Sequence, residues 1–285
     1  MSTAAPPAPS APLRALDAEA VARWARAGRD ALEEAREEID ELNVYPVPDG
    51  DTGTNLHLTV AAAAEALAAD GAARVGAAPA PALSALAQGA LLGARGNSGV
   101  ILSQMVRGFA DAVADRPGPV GPADVARALG SAADAAYAAV AEPVEGTMLT
   151  VARAAAVAAQ EPSDDDGLAA VVTRAAAGAR AALARTPDQL EVLRRAGVVD
   201  AGGRGVCVLM DALASVVTGA VPEPTPVRVE ARPGPPPCDT DDAGSIGPAY
   251  EVMYLLDAPA DAVPVLRERL AGLGDSLVVV GGEPI

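Results

Sequence analysis

The sequence contains no lysine: all 21 basic residues among its 285 residues are arginines. A Walker-A phosphate loop and the protein-kinase scheme both place a lysine on the nucleotide phosphates, so neither can be built from this chain. Histidine occurs once, at His57, with no serine elbow near it, which argues against a hydrolase triad. The two cysteines, Cys207 and Cys238, are too few and too far apart for a disulfide framework or a zinc cluster.

Aromatic residues make up only 2% of the chain, whereas 51% of it is hydrophobic, mostly Ala, Val and Leu. Because alanine has the highest helix propensity, this composition predicts a mainly α-helical protein. The net charge of −17 leaves no basic stripe for phosphates, which argues against nucleic-acid partners and against docking on anionic membranes. We find no signal-peptide pattern and no unbroken apolar run of transmembrane length, so we expect a cytoplasmic protein without an integral membrane segment.

Helical periodicity dominates residues 13–219. Apolar residues recur at three- and four-residue spacing from Leu13 to Leu42, with charged residues on the other face. Further helices are predicted at 55–69, 81–93, 98–114, 122–140, 146–160, 167–185 and 203–219. Eight amphipathic helices with short connections are typical of an antiparallel bundle or helical barrel. The Ala- and Pro-rich residues 1–12 are predicted to be a disordered lead.

The composition changes after the last of these helices. Residues 220–247 are rich in proline and predict an extended linker. The pattern then predicts a strand at 249–256, a helix at 261–271 and a strand at 276–280. One such unit cannot bury both faces of its sheet, so we interpret 248–285 as the incomplete start of an α/β domain. The alternative is a tail that docks on the helical bundle.

The central motif is the pair Asp49 and Asp51, separated by Gly50 in a proline-framed loop that leads into a helix. Neighbouring carboxylates repel each other unless a cation lies between them, and Mg²⁺ prefers a few carboxylate oxygens together with phosphates and water. A haloacid-dehalogenase phosphatase would place such a pair after a hydrophobic strand, and an EF-hand would need a glutamate where Val60 stands. The plainer alternative is an Asp-Gly turn that only caps a helix.

Three weaker segments follow, at 93–99, 145–149 and 200–205. The glycine-rich segment 93–99 lies between two predicted helices and can present backbone N–H groups to a phosphate. The segments at 145–149 and 200–205 each open a helix. An N-cap or a close helix crossing explains either of them equally well when it is taken alone.

In this order the segments resemble the DhaL-type nucleotide-binding domain of dihydroxyacetone kinases and, more closely, the N-terminal part of bacterial fatty acid kinase A. The resemblance covers about 13–219, and its most specific part is 42–55. It implies a barrel of eight antiparallel helices that binds ATP at one end through two Mg²⁺ ions. Asp49 and Asp51 would be the catalytic metal ligands, with Asn43 as a further ligand where dihydroxyacetone kinases place a third aspartate. The residues implied to line the nucleotide site are Thr52, Gly53, Thr54, Asn55, Asn97, Ser98, Gly99, Thr147, Met148, Asp200 and Gly202.

In the fatty acid kinase branch a separate DegV-type fatty-acid-binding protein delivers the acyl substrate, and the product is an acyl phosphate. The resemblance therefore implies a kinase subunit that acts with such a partner, and it leaves a homodimer open. A non-catalytic nucleotide-binding or regulatory module is the main alternative, and a dihydroxyacetone-type (glycerone) kinase subunit is less favoured. Residues 250–281 resemble the opening of the family's middle domain, but the chain stops before that domain's histidine-containing strand. The family's cysteine beside the first strand is also absent, with Glu251 and Val252 in that region.

Overall fold

The computed structural model describes residues 11–162, 167–220, 252–254, 256, 258–259, 261–273 and 277–280. Most of the predicted lead and of the predicted linker lies outside these residues, and both stay predictions. Within the described part, the prediction of a mainly α-helical chain is confirmed, and no β-sheet is present there. The helices are α1 (Ala18–Leu42), α2 (Thr52–Asp70), α3 (Ala80–Leu92), α4 (Gly96–Ala112), α5 (Pro122–Ala139), α6 (Met148–Gln160), α7 (Leu168–Leu183), α8 (Thr186–Gln189), α9 (Glu191–Ala196), α10 (Ala201–Thr218) and α11 (Ala262–Ala271).

The eight long helices before residue 220 form a closed ring. Each of α1 to α6 packs on the next helix in the chain, and α10 packs on both α7 and α1. Neighbours run antiparallel: the Trp24 indole donates to the Leu209 carbonyl at 3.0 Å, and Arg204 pairs with Glu38 at 2.8 Å. Residue numbers increase along α1 as they decrease along α10, so these two helices are antiparallel. The contacts of α1 with α2, α2 with α3, α4 with α5, α5 with α6, α6 with α7 and α7 with α10 show the same antiparallel order.

The ends of several helices differ from the predicted ones for local reasons. The first helix begins at Ala18 rather than Leu13, because the Asp17 side chain accepts from the Ala20 N–H at 2.8 Å and caps it there. Leu16, just before the cap, forms an isolated bridge with Val120. The short helices α8 and α9 were not predicted, since four and six residues are too few to show a helical period.

The core of the ring is built from small residues, as the alanine content suggested. A side chain added at Gly108 would meet the Ser131 carbonyl oxygen at 2.5 Å, so α4 and α5 approach to backbone contact. An apolar cavity of about 80 Å³ lies inside the ring, and Trp24 and Phe109 are among the side chains that line it. The rings of these two residues lie 5.8 Å apart. Trp24 is partly buried and packs against the core.

One helix, α10, is long and apolar enough to cross a membrane by length and composition alone. From the sequence pattern we predict no apolar stretch of this length. In the part of the chain that the structure describes, 61% of this helix is buried against the rest of the ring. Its position between α1 and α7 accounts for its apolar residues, since a helix that closes a ring faces neighbours on both sides.

The C-terminal part differs most from its prediction. The helix expected at 261–271 is present as α11, but the described residues of the two flanking segments do not form strands. Instead, Val278 forms a single antiparallel bridge with Val140, and the Ala141 N–H donates to the Leu277 carbonyl at 3.1 Å. A strand needs a partner strand of similar length, and the loop after α5 offers only one bridge. The described part of 248–285 therefore contacts the helical ring and contains no α/β sheet.

Candidate functional site

All four predicted site segments lie at one end of the ring. Since consecutive ring members run in opposite directions, α2, α4, α6 and α10 all begin at the end where α1, α3, α5 and α7 finish. We call this end the rim and define it as residues 49–55, 95–99, 147–149 and 200–204. It contains every residue that the sequence predicted for the site except Asn43, which is the C-cap of α1 beside it.

The rim segments also contact one another. A Cβ at Gly96 would overlap the Asn55 side-chain amide, and a Cβ at Gly205, one residue beyond the rim, would overlap a methyl group of Leu56. A Cβ at Gly202 would lie 3.1 Å from the Met148 Cβ. The starts of α2 and α4 are thus in contact, as are those of α6 and α10, and α2 meets α10 one turn further in. Glycines in these motifs allow the helices to approach closely. This agrees with the simpler interpretation of these segments, a close helix crossing.

Four helix N-termini in one place create a local excess of backbone N–H groups. The first turn of a helix leaves its N–H groups without intrahelical partners, and the helix dipole adds partial positive charge there. Such ends bind phosphate and other anions. The rim therefore offers a chain without lysine a way to hold a polyphosphate through main-chain groups.

Asn43 fixes the loop that carries the aspartates. Its buried side-chain amide donates to the Val47 carbonyl at 2.5 Å and to Asp49 Oδ1 at 3.3 Å, and its oxygen accepts from the Thr52 hydroxyl. The structure thus places Asn43 next to Asp49 with its oxygen already hydrogen-bonded. These bonds orient Asp49, and direct metal ligation by Asn43 stays a prediction.

Asp51 is the N-cap residue of α2, yet its side chain makes no capping hydrogen bond. Burial raises the pKa of the Asp51 carboxyl above its ordinary value. The hydrogen bond from Asn55 lowers this pKa, while the negative charges of Asp49 and Asp40 raise it further. A carboxylate that is partly desolvated next to a second one gains stability from a cation between them.

The donor set at this loop suits Mg²⁺. No group of three or more His, Cys, Asp or Glu residues is arranged for a metal within the described ranges. Two adjacent carboxylates without further protein ligands are what Mg²⁺ uses when phosphate oxygens and waters complete its octahedron. Asp49 and Asp51 therefore fit a magnesium ion that arrives with a nucleotide, and the number of ions stays a prediction.

Sequence reasoning missed Asp40, in the last turn of α1. Its Oδ1 accepts from the Thr54 N–H at 3.0 Å and its Oδ2 from the Thr54 hydroxyl at 2.9 Å. The hydroxyl of Thr54, predicted to line the nucleotide site, is thus engaged with α1. In the sequence Asp40 is one of many acidic residues of an amphipathic helix, and only helix packing distinguishes it.

At the α6 and α10 side of the rim, the predicted residues cap their own helices. Asp200 is 5% exposed, and its Oδ2 accepts from the Gly203 N–H at 2.6 Å. Burial raises the pKa of Asp200 to about 7, although hydrogen bonds from the Gly203 and Met148 backbones lower it. The Thr147 hydroxyl donates to the Val144 carbonyl at 2.8 Å and accepts from the Leu149 N–H at 3.4 Å. These side chains thus hold the turns at the starts of α6 and α10 together.

Asn97, Ser98 and Gly99 lie in the first turn of α4, as expected. The Gly99 position is tight, since a Cβ there would overlap the Thr59 hydroxyl. His57 bridges α2 to α1, with Nδ1 at 3.3 Å from the Arg29 carbonyl and Nε2 at 3.3 Å from Glu33. His57 therefore links α2 to α1 and lies outside the rim.

Comparison with known protein families identifies the family of this chain. The DAK2 domain matches residues 46–215, more than half of the chain. The chain belongs to the DAK2 domain family. This confirms the resemblance to DhaL-type domains seen in the sequence. The match includes the Asp49–Asp51 loop, α2 to α9 and most of α10, whereas α1 lies before its first residue.

The DAK2 chain is similar to much longer proteins. It is 38% identical to protein YloV of Bacillus subtilis over 96% of this chain and 50% of YloV. It is 35% identical to the uncharacterized protein SH1689 of Staphylococcus haemolyticus over 87% of this chain and 46% of that protein. The chain thus spans about half the length of these curated relatives. Among solved structures it is similar to the dihydroxyacetone kinase from C. freundii in complex with AMP-PNP and Mg²⁺, with a TM-score of 0.49 and 18% identity over 75% of this chain and 36% of that one.

Proposed function

We propose that this DAK2 domain is the ATP- and Mg²⁺-binding subunit of a cytoplasmic phosphotransferase. The acceptor we propose is a fatty acid carried by a DegV-type lipid-binding protein, and the product is an acyl phosphate. The observation that supports nucleotide binding best is the rim itself. Four helix N-termini lie beside two adjacent carboxylates in a chain without lysine.

The two halves of the rim have complementary roles in this proposal. Asp49 and Asp51 hold Mg²⁺, which neutralises charge on the β- and γ-phosphates. Backbone N–H groups at the starts of α4 and α10 meet the remaining phosphate oxygens. The Leu149 N–H is already bonded to Thr147, and the Met148 and Gly203 N–H groups are bonded to Asp200. A Cβ at Gly96, Gly99, Gly202 or Gly203 would meet a side chain of a neighbouring helix, so these glycines let the helix starts pack closely around the site.

The transfer requires no nucleophile from this chain. A carboxylate oxygen of the fatty acid attacks the γ-phosphorus as its bond to the bridging oxygen breaks, which yields acyl phosphate and ADP without net proton transfer. A single histidine and the absence of lysine are therefore compatible with the reaction. The choice of a fatty acid as acceptor is supported by the resemblance of 42–55 to the fatty acid kinase branch.

Calorimetric titration of the purified chain with ATP, with and without Mg²⁺, tests the nucleotide site. We expect binding that depends on Mg²⁺ and is lost in Asp49→Ala. Asp70→Ala is the matched control, since Asp70 is an exposed aspartate at the other end of α2, roughly 27 Å away at 1.5 Å per residue. Equal binding by the wild type and Asp49→Ala would contradict the proposed site.

The acceptor is tested by adding a fatty-acid-loaded DegV-type protein and trapping acyl phosphate with hydroxylamine. Acyl phosphate that forms only with ATP, Mg²⁺ and the loaded partner supports the fatty acid kinase role. Phosphorylation of dihydroxyacetone instead would favour the glycerone kinase alternative. Nucleotide binding with neither product would make this chain a nucleotide-binding module and would contradict the proposed turnover.

A further inference from the structure

Asp51 occupies a position at which an aspartate normally caps a helix. An N-cap side chain accepts a hydrogen bond from the second or third backbone N–H of its helix. In α2 the third residue is Thr54, and its N–H is not bonded to Asp51. The corresponding aspartates of two other helices, Asp17 and Asp200, do cap their own helices.

The Thr54 N–H is taken by a carboxylate from another helix. Asp40 in the last turn of α1 accepts this N–H at 3.0 Å and the Thr54 hydroxyl at 2.9 Å. Both oxygens of Asp40 are therefore directed at the one residue that Asp51 would otherwise bind. A backbone N–H forms one good hydrogen bond, so the two aspartates compete for it.

The packing of α1 against α2 is built for this contact. A Cβ at Gly53 would overlap the Arg36 carbonyl oxygen and would lie 3.0 Å from both Asp40 Oδ1 and the Ile39 Cβ. Only a glycine at this position lets the first turn of α2 come close enough for Asp40 to reach Thr54.

We propose that Asp40 is a positioning residue that caps α2 from the neighbouring helix and thereby leaves the Asp51 carboxylate available for a divalent cation. The cap satisfies the start of α2, while Asp51 remains beside Asp49. The effect on magnesium rests on the proposed function, whereas the competition for the Thr54 N–H does not.

A double-mutant cycle on stability tests the competition without any ligand. In the wild type, Asp51→Ala removes no cap and relieves repulsion, so the unfolding midpoint stays constant or rises. In an Asp40→Ala background, Asp51 becomes the cap, and Asp51→Ala lowers the midpoint by about 3 °C. Asp40→Asn keeps an oxygen that can accept the Thr54 N–H but removes the charge. In the Asp40→Asn background, Asp51→Ala should again not lower the unfolding midpoint.

This third background separates capping from simple repulsion. Repulsion between the carboxylates alone would make Asp40→Asn behave like Asp40→Ala, because both remove the charge. Equal effects of Asp51→Ala in all backgrounds would overturn the proposal, whether or not the chain binds ATP. Circular dichroism checks the fold of each variant, and Asp40→Ser, whose side chain is too short to reach, replaces Asp40→Ala if the latter does not fold.

The second measurement is the Mg²⁺ concentration for half-maximal ATP binding. We expect Asp40→Ala to raise it about 10-fold and Asp40→Asn to change it less than about 3-fold, as for other residues that support metal ligands. Glu41→Ala, an exposed acidic change at the next position, is the charge control. The far-UV circular dichroism spectrum should be the same in all variants, which a general loss of structure would not give. A wild type that binds no Mg²⁺ and ATP contradicts the proposed function alone, because the stability cycle still decides the role of Asp40.

Discussion

Asp51 and Asp200 are both aspartates at the N-cap of a helix that begins at the rim, yet their surroundings differ. Asp200 is buried, bonds its own helix through the Gly203 N–H and has a pKa raised to about 7. Asp51 is less buried, its side chain caps no backbone N–H of its helix, and another carboxylate lies beside it. The first arrangement stabilises a helix start, and the second leaves a charged group available to a ligand. The position at the start of a helix therefore does not reveal which role an aspartate has.

The largest expected difference between the two aspartates is in magnesium-dependent ATP affinity. Asp51→Ala should weaken it roughly 1,000-fold, about 4 kcal/mol, because a direct metal ligand is lost. Asp200→Asn, which keeps the capping oxygen, should change it by less than about 10-fold. Calorimetry with and without Mg²⁺ measures both. A stronger loss in Asp200→Asn than in Asp51→Ala would reverse the assignment.

The pH dependence of stability should reflect the titration of Asp200. Its pKa is raised from 3.8 to about 7 in the folded protein, so between these values the folded state binds more protons than the unfolded state. The stability of the wild type relative to Asp200→Asn should therefore fall as the pH rises from about 4 to about 7, by roughly 3 kcal/mol, and level off above it. Urea unfolding followed by the single Trp24 measures this. A constant difference across this range would contradict the buried position of the carboxyl.

Removing each side chain should affect stability in opposite ways. At pH 5, Asp200→Ala leaves the Gly203 and Met148 N–H groups without their acceptor and should cost about 2 kcal/mol. Asp51→Ala removes no cap and relieves repulsion from Asp49, so it should cost nothing or stabilise slightly. Chemical unfolding of both variants at the same pH provides the comparison. Equal losses would show that Asp51 also caps its helix.

The smallest expected effect concerns the glycines that follow the two aspartates. Gly53→Ala meets a backbone carbonyl of Arg36, which cannot move aside, whereas Gly203→Ala meets side-chain methyl groups of Val151 and Leu183 at 2.8 and 3.2 Å. Gly53→Ala should therefore be more destabilising by about 1 kcal/mol. Gly118→Ala, with nothing within 4 Å, should stay within about 0.5 kcal/mol of the wild type. The ranking is checked by unfolding all three variants in parallel.

Much of the helical part was predictable because its signals are local. The starts and ends of the long helices lie within about five residues of the predicted ones, since apolar periodicity and Gly or Pro breaks mark them. The Asp49–Asp51 loop was also recognisable, because two prolines and two glycines frame its carboxylates. In contrast, the strands predicted at 249–256 and 276–280 were wrong for the residues described, since a strand pattern gives no information about whether a partner strand exists.

The sequence by itself determined the helical class, the positions of the long helices and the presence of a carboxylate pair at a helix start. These follow from side-chain periodicity and backbone chemistry over a few residues. Only the tertiary structure decided that α2, α4, α6 and α10 begin at one rim, that Asp200 is buried and that Asp40 occupies the Thr54 N–H. Each of these depends on contacts between residues distant in the chain. Burial and competition for a hydrogen-bond donor arise only when helices pack together.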